Sequence, residues 1–213
     1  MRCIRGLFLV AGLALGASAF GAAEDEMKAA RDAYRIGDVR TAISILRKSA
    51  DAGHAPSQAL LGEILDMAEQ NEDAVRYLRM AADQGFPEGI YRLAAMQASG
   101  EGTPRDMNAA RRGMVKAAEA GHPLAIQTVA LAYIKGGLAL SDAERSSPEA
   151  LAWIQKAAAQ DSLPAIDRLA VAYRNGELGL AADAKRAAEL EERARTLRKI
   201  PPPKGKKSGR ASG

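Results

Sequence analysis

The sequence runs to 213 residues, with 30 basic and 26 acidic side chains and a single cysteine, Cys3. That is long enough for one domain with an adequate core, and one cysteine cannot brace it with an internal disulfide. The net charge of +4 is no argument for a nucleic-acid-binding domain, because it is carried by the ends of the sequence. No acidic residue follows Glu192, whereas Arg193, Arg195, Arg198, Lys199, Lys204, Lys206, Lys207 and Arg210 do. With those eight and Arg2 and Arg5 set aside, 20 basic residues face all 26 acidic ones, so the body is acidic.

The first 23 residues read as a targeting segment. Arg2 and Arg5 precede the apolar run Gly6–Leu15, and small residues follow from Ala17 to Ala23. That order is the pattern of a secretory signal peptide. Spanning a membrane takes about 20 apolar residues, and the strongly apolar run here is about half that. A cut after Ala19, giving a leader of 1–19, is preferred, and one after Ala23 also fits. Cys3 lies ahead of the apolar run, so it cannot serve as a lipid anchor at the cut. The mature chain is expected in the periplasm or outside the cell, without disulfides.

From residue 24 onward the sequence repeats itself. Lys48-Ser49-Ala50-Asp51-Ala52-Gly53 returns as Met80-Ala81-Ala82-Asp83-Gln84-Gly85. It returns again as Lys116-Ala117-Ala118-Glu119-Ala120-Gly121 and as Lys156-Ala157-Ala158-Ala159-Gln160-Asp161. The last residues of these blocks are 32, 36 and 40 positions apart, a period typical of stacked helical repeats. Aligned on them, Ser57, Gly89, Ala125 and Ala165 share one column, and Leu61, Leu93, Val129 and Leu169 the next. Leu65, Gln97, Tyr133 and Tyr173 complete a helical stripe. Gly62, Ala94, Ala130 and Ala170 form a small-residue column that lets a partner helix approach. Ala68, Gly100, Gly136 and Gly176 end the helix, three of the four being glycine. A second stripe precedes each block: Ala42, Ala74, Ala110 and Ala150, with Leu46, Leu78, Met114 and Ile154.

Each unit is thus a pair of antiparallel helices, and five pairs are expected. They run over about 25–36 with 39–51, 56–68 with 71–83, 87–98 with 105–119, 123–134 with 147–160, and 164–174 with 183–198. Gly137–Pro148 is an insertion that lengthens the last step. Pro201-Pro202-Pro203 stops any helix, and residues 199–213 are expected to be a disordered basic tail.

The columns resemble the Sel1-like repeat family, a relative of the tetratricopeptide repeat. The resemblance rests on Ala125…Val129-Ala130…Tyr133…Gly136 and on Ala150…Trp153…Lys156-Ala157-Ala158…Gln160. It rests also on the glycine loop Ser99-Gly100-Glu101-Gly102-Thr103-Pro104-Arg105-Asp106, and it covers about Asp51 to Ala194. It implies an all-α, right-handed α-solenoid over residues 24–198, in a secreted bacterial member. The first unit, with Tyr34-Arg35-Ile36-Gly37-Asp38, reads more like a plain tetratricopeptide unit. The paired cysteines of some secreted relatives are absent.

Chemistry-bearing patterns are scarce. His54 and His122 share a column but lie two repeats apart. Two stacking steps of about 10 Å each cannot be closed by one metal with ligands at about 2 Å. They read as turn residues at helix starts. Glu72-Asp73 reads as negative charge at a helix N-terminus. No catalytic, metal-binding or cofactor-binding residue is assigned, and the expectation is a non-enzymatic protein.

The resemblance implies instead a concave face on the first helix of each pair, 6, 10, 13 and 14 residues past the anchors. On it lie Glu63, Asp66, Tyr91, Gln127, Lys135, Asp167, Arg174 and Asn175, the candidate partner-binding residues. An aromatic anchor, amides and a cation suit a peptide or protein segment. The expected function is a periplasmic adaptor or scaffold for an envelope complex or sensor. Alternatives are a cell-wall or peptidoglycan-associated binder or enzyme, and an envelope tether acting through the tail. The tail itself reads as a solubilising end, as a weak contact with an anionic surface, or as a segment folding back on the acidic body.

Overall fold

The computed structural model describes the backbone of residues 11–199 and the side chains of 21–199. The polyproline and basic tail from 200 to 213, and the start of the leader, lie outside the described residues. The chain divides into two compact units, Met1–His122 and Pro123–Gly213. Among the described residues every regular element is a helix.

Unit 1 holds α1 (Ala11–Arg35), α2 (Val39–Asp51), α3 (Ala55–Met67), α4 (Asn71–Asp83), α5 (Pro87–Ser99) and α6 (Met107–Glu119). Each helix packs on the next, and α3 also packs on α1 and on α5. This is the antiparallel pairing read from the columns, with first helices α1, α3 and α5 in contact along the stack. Leu46, Leu61, Leu65, Tyr77 and Leu78 are essentially inaccessible, and they share one core with Ala30, Ala33, Ala42 and Ala74. Each such leucine contributes about 1.5–3 kcal/mol by leaving water. The small-residue columns work by contact. A Cβ added to Gly62 would lie 2.6 Å from Leu78 Cγ, one on Gly113 2.7 Å from Ala94 Cβ, and one on Gly89 2.5 Å from Ala81 Cβ.

Unit 2 holds α7 (Pro123–Lys135), α8 (Asp142–Arg145), α9 (Pro148–Ala159), α10 (Leu163–Asn175) and α11 (Ala184–Lys199). Here α7 packs on α9 and α10, α9 on α10, and α10 on α11. Trp153, Ile154, Ile166 and Leu169 are buried. The final helix buries only Ala187 and Ala194, as a polar terminal helix should.

The repeated block is the end of the second helices α2, α4, α6 and α9. After α2, the Gly53 amide donates to the Ala50 carbonyl and the His54 amide to the Ser49 carbonyl. The same two bonds recur at Gly85 and Phe86, at Gly121 and His122, and at Asp161 and Ser162. These are Schellman caps, which need a left-handed residue at the anchor. Gly53, Gly85 and Gly121 supply it with φ of +94°, +77° and +85°, and Asp161 takes the same position at +60°. Where the second unit lacks its glycine, Ala68 is followed by Glu69 at φ +59°.

The helix expected from about residue 25 is already formed at Ala11, where the described backbone starts, and runs across both candidate cut positions. None of the described helices is long and apolar enough to cross a membrane. The insertion Gly137–Pro148 contains α8. Ser141 and Glu144 form a capping box there. Arg145 turns back, its guanidinium donating to the carbonyls of Tyr133 (3.2 Å) and Ile134 (3.0 Å) at the end of α7.

Candidate interaction face on the first helices

In unit 1 the face is built by α3 and α5. Pro at the first turn of each and the αL cap at Gly100 fix where these helices begin and end. Glu63 and Asp66 lie one turn apart on α3, and both are half-buried. Arg92 of α5 reaches across to Glu63, Nη2 to Oε1 at 2.8 Å, and also pairs with Glu88 one turn before it. The other oxygen of Glu88 meets His122 Nε2 at 2.8 Å. His122 is 9% exposed, and its ring stacks on Tyr91 with centroids 4.6 Å apart and planes 22° from parallel. The result is one connected line, Glu63–Arg92–Glu88–His122–Tyr91, crossing the first helices.

Two carboxyls on this face are pushed in opposite directions. Burial alone would raise Glu88, but the His122 hydrogen bond and the Arg92 charge outweigh it and hold its carboxyl below the usual value. Asp66 is raised, first by burial and then by the nearby Glu101 carboxylate, with Arg92 opposing. Among the described residues Asp66 makes no ion pair. Met67, the next residue, is 60% exposed. Of the expected residues, Glu63, Asp66 and Tyr91 are therefore brought to one surface. Ala59, the residue of the first inward column on α3, is 1% exposed and lines no surface.

In unit 2 the expected residues divide. Gln127 and Lys135 are exposed on α7. Leu124 and Leu131, also on α7, and Val171 on α10 leave 50%, 38% and 37% of their surfaces in water. The α10 residues are already engaged. Asp167 accepts from Arg198 at 2.5 Å, and Arg174 pairs with Glu191, both partners on α11. Asn175 donates to Glu177 at 2.8 Å, and Arg168 holds the other oxygen of Glu177 at 2.6 Å. These two partners lower the Glu177 carboxyl, Asn175 first. Arg193 of α11 likewise clasps Asp161 and the Ala158 carbonyl.

Several members of these networks were not among the expected residues. Glu88 and Arg92 carry a readable signal, an acid and a base four apart on a helix. His122 was read as a turn residue, and here it joins the charged line. His54 does act as a helix start: its Nδ1 accepts from the Ser57 amide. A buried polar seam was also missed. Gln58 donates to the Ala50 carbonyl and accepts from Gln84 at 2.7 Å. Its column otherwise reads Ile90, Ile126 and Ile166, so one amide among isoleucines was the clue. Among the described residues, no three metal-ligating side chains are gathered at one point. A shallow cleft of unit 1 lies away from the first-helix face, between α4 and the Gly102–Pro104 loop, lined by Val75, Arg79 and Met80.

Antiparallel helix pairs, Schellman-capped at a fixed column and packed through small residues, define a helical-repeat protein of the solenoid class. The Sel1 repeat model matches residues 33–54, 55–86, 87–122, 129–162 and 163–197, and the chain belongs to the Sel1 repeat family. It is similar to the crystal structure of a Sel1 repeat protein from Oxalobacter formigenes, at 29% identity and TM-score 0.64, over 73% of this chain and 45% of that one. It shares the fold of c5321, a protective antigen of uropathogenic Escherichia coli with an SLR fold. There the identity is 19% and the TM-score 0.51, over 86% of this chain and 48% of that one. Among curated proteins it is 28% identical over 171 residues to the chitin synthase regulator SKT5 of Saccharomyces cerevisiae. That match takes in 76% of this chain but only 25% of the relative's length. Sel1 repeats are generally a non-catalytic fold, and proteins built from them are typically protein–protein interaction scaffolds.

Proposed function

We propose that this chain is a periplasmic or secreted adaptor that holds a segment of a partner protein against the first-helix face of its repeats. The observation that carries the reading is the surface of α3 and α5 in unit 1. Tyr91, Met67, Glu63 and Asp66 stand there on rigid helices, and the Arg92–Glu88–His122 line holds their surroundings in place. A rigid face with an aromatic, an exposed apolar side chain and fixed charges suits recognition of a polypeptide. The Sel1 repeats support a scaffold role, and the Arg2–Ala23 segment supports export. A cut after Ala19 or after Ala23 leaves Ala30 and Ala33, both members of the unit 1 core, in the mature chain.

Two measurements test it. N-terminal sequencing of the protein recovered from cells should begin at Phe20 or Glu24, and an intact Met1 would remove the export reading. Affinity capture from the envelope, with the mature chain and with a form lacking residues 201–213, should recover the same discrete protein. Loss of all capture with the tail would sink the face as the binding surface.

A further inference from the structure

Among the described residues five large apolar side chains stand exposed, and three of them, Leu124, Leu131 and Val171, lie on the first helices of unit 2. Leu131 and Val171 occupy one column, ten residues past the anchors Gly121 and Asp161, on helices α7 and α10 that pack together. The charges of α10 on this side are already paired within the unit, Asp167 with Arg198 and Arg174 with Glu191. What the α7–α10 face still presents is apolar surface. The Arg198–Asp167 pair also fixes where the chain goes next. It sets the last turn of α11 beside Asp167, and Val171 lies one turn further along α10. From there the sequence continues as Ile200-Pro201-Pro202-Pro203 and only then becomes basic, from Lys204.

We propose that Ile200 and the three prolines lie across Val171 and Leu131, so that the end of this chain covers the first-helix face of unit 2. The reach suffices. Four residues in the polyproline conformation span about 12 Å, against about 8–10 Å between the axes of packed helices. The chemistry matches as well. The side of a helix has its backbone groups paired internally and has none to give an incoming segment. A proline brings no N–H that needs such a partner, and its ring adds apolar surface beside that of Ile200. The tether selects the occupant. A second copy or a separate peptide would give up translational freedom to reach this face, whereas residues 200–203 are held next to it. The inference goes beyond the adaptor reading and does not depend on it. Its consequence is that unit 2 presents less of its first-helix face to a partner than the repeat columns imply.

The test is hydroxyl-radical footprinting read by mass spectrometry. It compares the full mature chain with a full-length variant carrying Ile200→Ser, Pro201→Gly, Pro202→Gly and Pro203→Gly, whose helical content is checked by circular dichroism. Leu131 and Val171 should oxidise about threefold more slowly in the parent, as a contact formed roughly two-thirds of the time gives. Ile36 and Met67, exposed in unit 1, should oxidise equally in both. The protection should persist at high salt, because the contact is apolar. The reciprocal measurement leaves the tail intact. Leu131→Ser with Val171→Ser, both at exposed positions, should speed the oxidation of Ile200. Equal rates at Leu131 and Val171 in parent and variant, or an unchanged rate at Ile200 in the reciprocal variant, would overturn the proposal. So would protection that vanishes with salt, which would place the basic residues on the acidic body instead. Protection that grows with protein concentration would assign the occupant to a second copy and overturn it equally.

Discussion

The two units treat the same repeat columns differently. In unit 1 the charges of the first helices are organised among the first helices themselves, so Arg92 serves Glu63 and Glu88, and Asp66 is left open. In unit 2 the charges of α10 are taken by α11: Asp167 by Arg198, Arg174 by Glu191. A column position is therefore not a function. A cation suited to a partner's carboxylate in one repeat is, in another, the partner of its own second helix. The acidic face of unit 1 and the internally paired face of α10 differ in what remains available to bind.

Five substitutions bear on this difference, in falling order of effect. Gly89→Val places its first carbon 2.5 Å from Ala81 Cβ, and should cost unit 1 about 3 kcal/mol through overpacking. Hydrogen exchange should then show lost protection in α4 and α5 and unchanged protection in α9 to α11. Arg92→Ala leaves Glu63 and Glu88 on one face without their shared cation. The expected loss is about 2 kcal/mol at neutral pH, from the value of charged hydrogen bonds, read as a lower denaturant midpoint.

That variant should also change the acid limb of the stability curve. The folded Glu88 carboxyl sits below its ordinary value, so its contribution is complete above the unfolded value and is lost as pH falls through the folded one. Without Arg92 one cause of the depression disappears, and the fall in stability below about pH 4.5 should be shallower than in the parent.

Glu191→Ala and Arg198→Ala, each removing an exposed pair of unit 2, should cost less than about 1 kcal/mol apiece. A larger loss in thermal melts would mean that α11 depends on these pairs rather than on Ala187 and Ala194. Asp66→Asn should have the smallest effect and the opposite sign. The Asp66 carboxyl is raised in the folded chain, so folding favours its neutral form, and stability falls as pH rises through its folded value. The amide should therefore give a slightly higher melting temperature at pH 7 and no gain at pH 3.

Much of the architecture was legible because each repeat obeys the same short-range rules. The Lys-Ala-Ala block marks a helix end since a Schellman cap needs a residue tolerating positive φ at one place, and Gly53, Gly85 and Gly121 stand there. Gly62 marked a close approach because nothing larger fits against Leu78. The insertion was harder to read. Gly136-Gly137-Leu138-Ala139-Leu140 and Gly176-Glu177-Leu178-Gly179-Leu180 are one motif used twice in unit 2, with Leu138 and Leu178 buried at φ +48° and +56°. Leucine is unexpected in that conformation, so nothing in the residue types marks the two loops as one turn.

The interaction face was legible only in outline. Glu63, Asp66 and Tyr91 follow from counting along α3 and α5. That Arg92 clasps Glu63 across helices, that His122 closes on Glu88 from 34 positions away, and that α11 takes the charges of α10 are facts of packing. Counting within one repeat carries no information about them.

The most direct test of the central claim is cross-linking in living cells from a photoreactive phenylalanine analogue placed at Met67, on the first-helix face, or at Arg79, on a second helix of the same unit. A discrete covalent adduct to a partner protein from position 67 and none from position 79 is the predicted result. An adduct from 79 alone, or none from either position, would contradict a first-helix binding face.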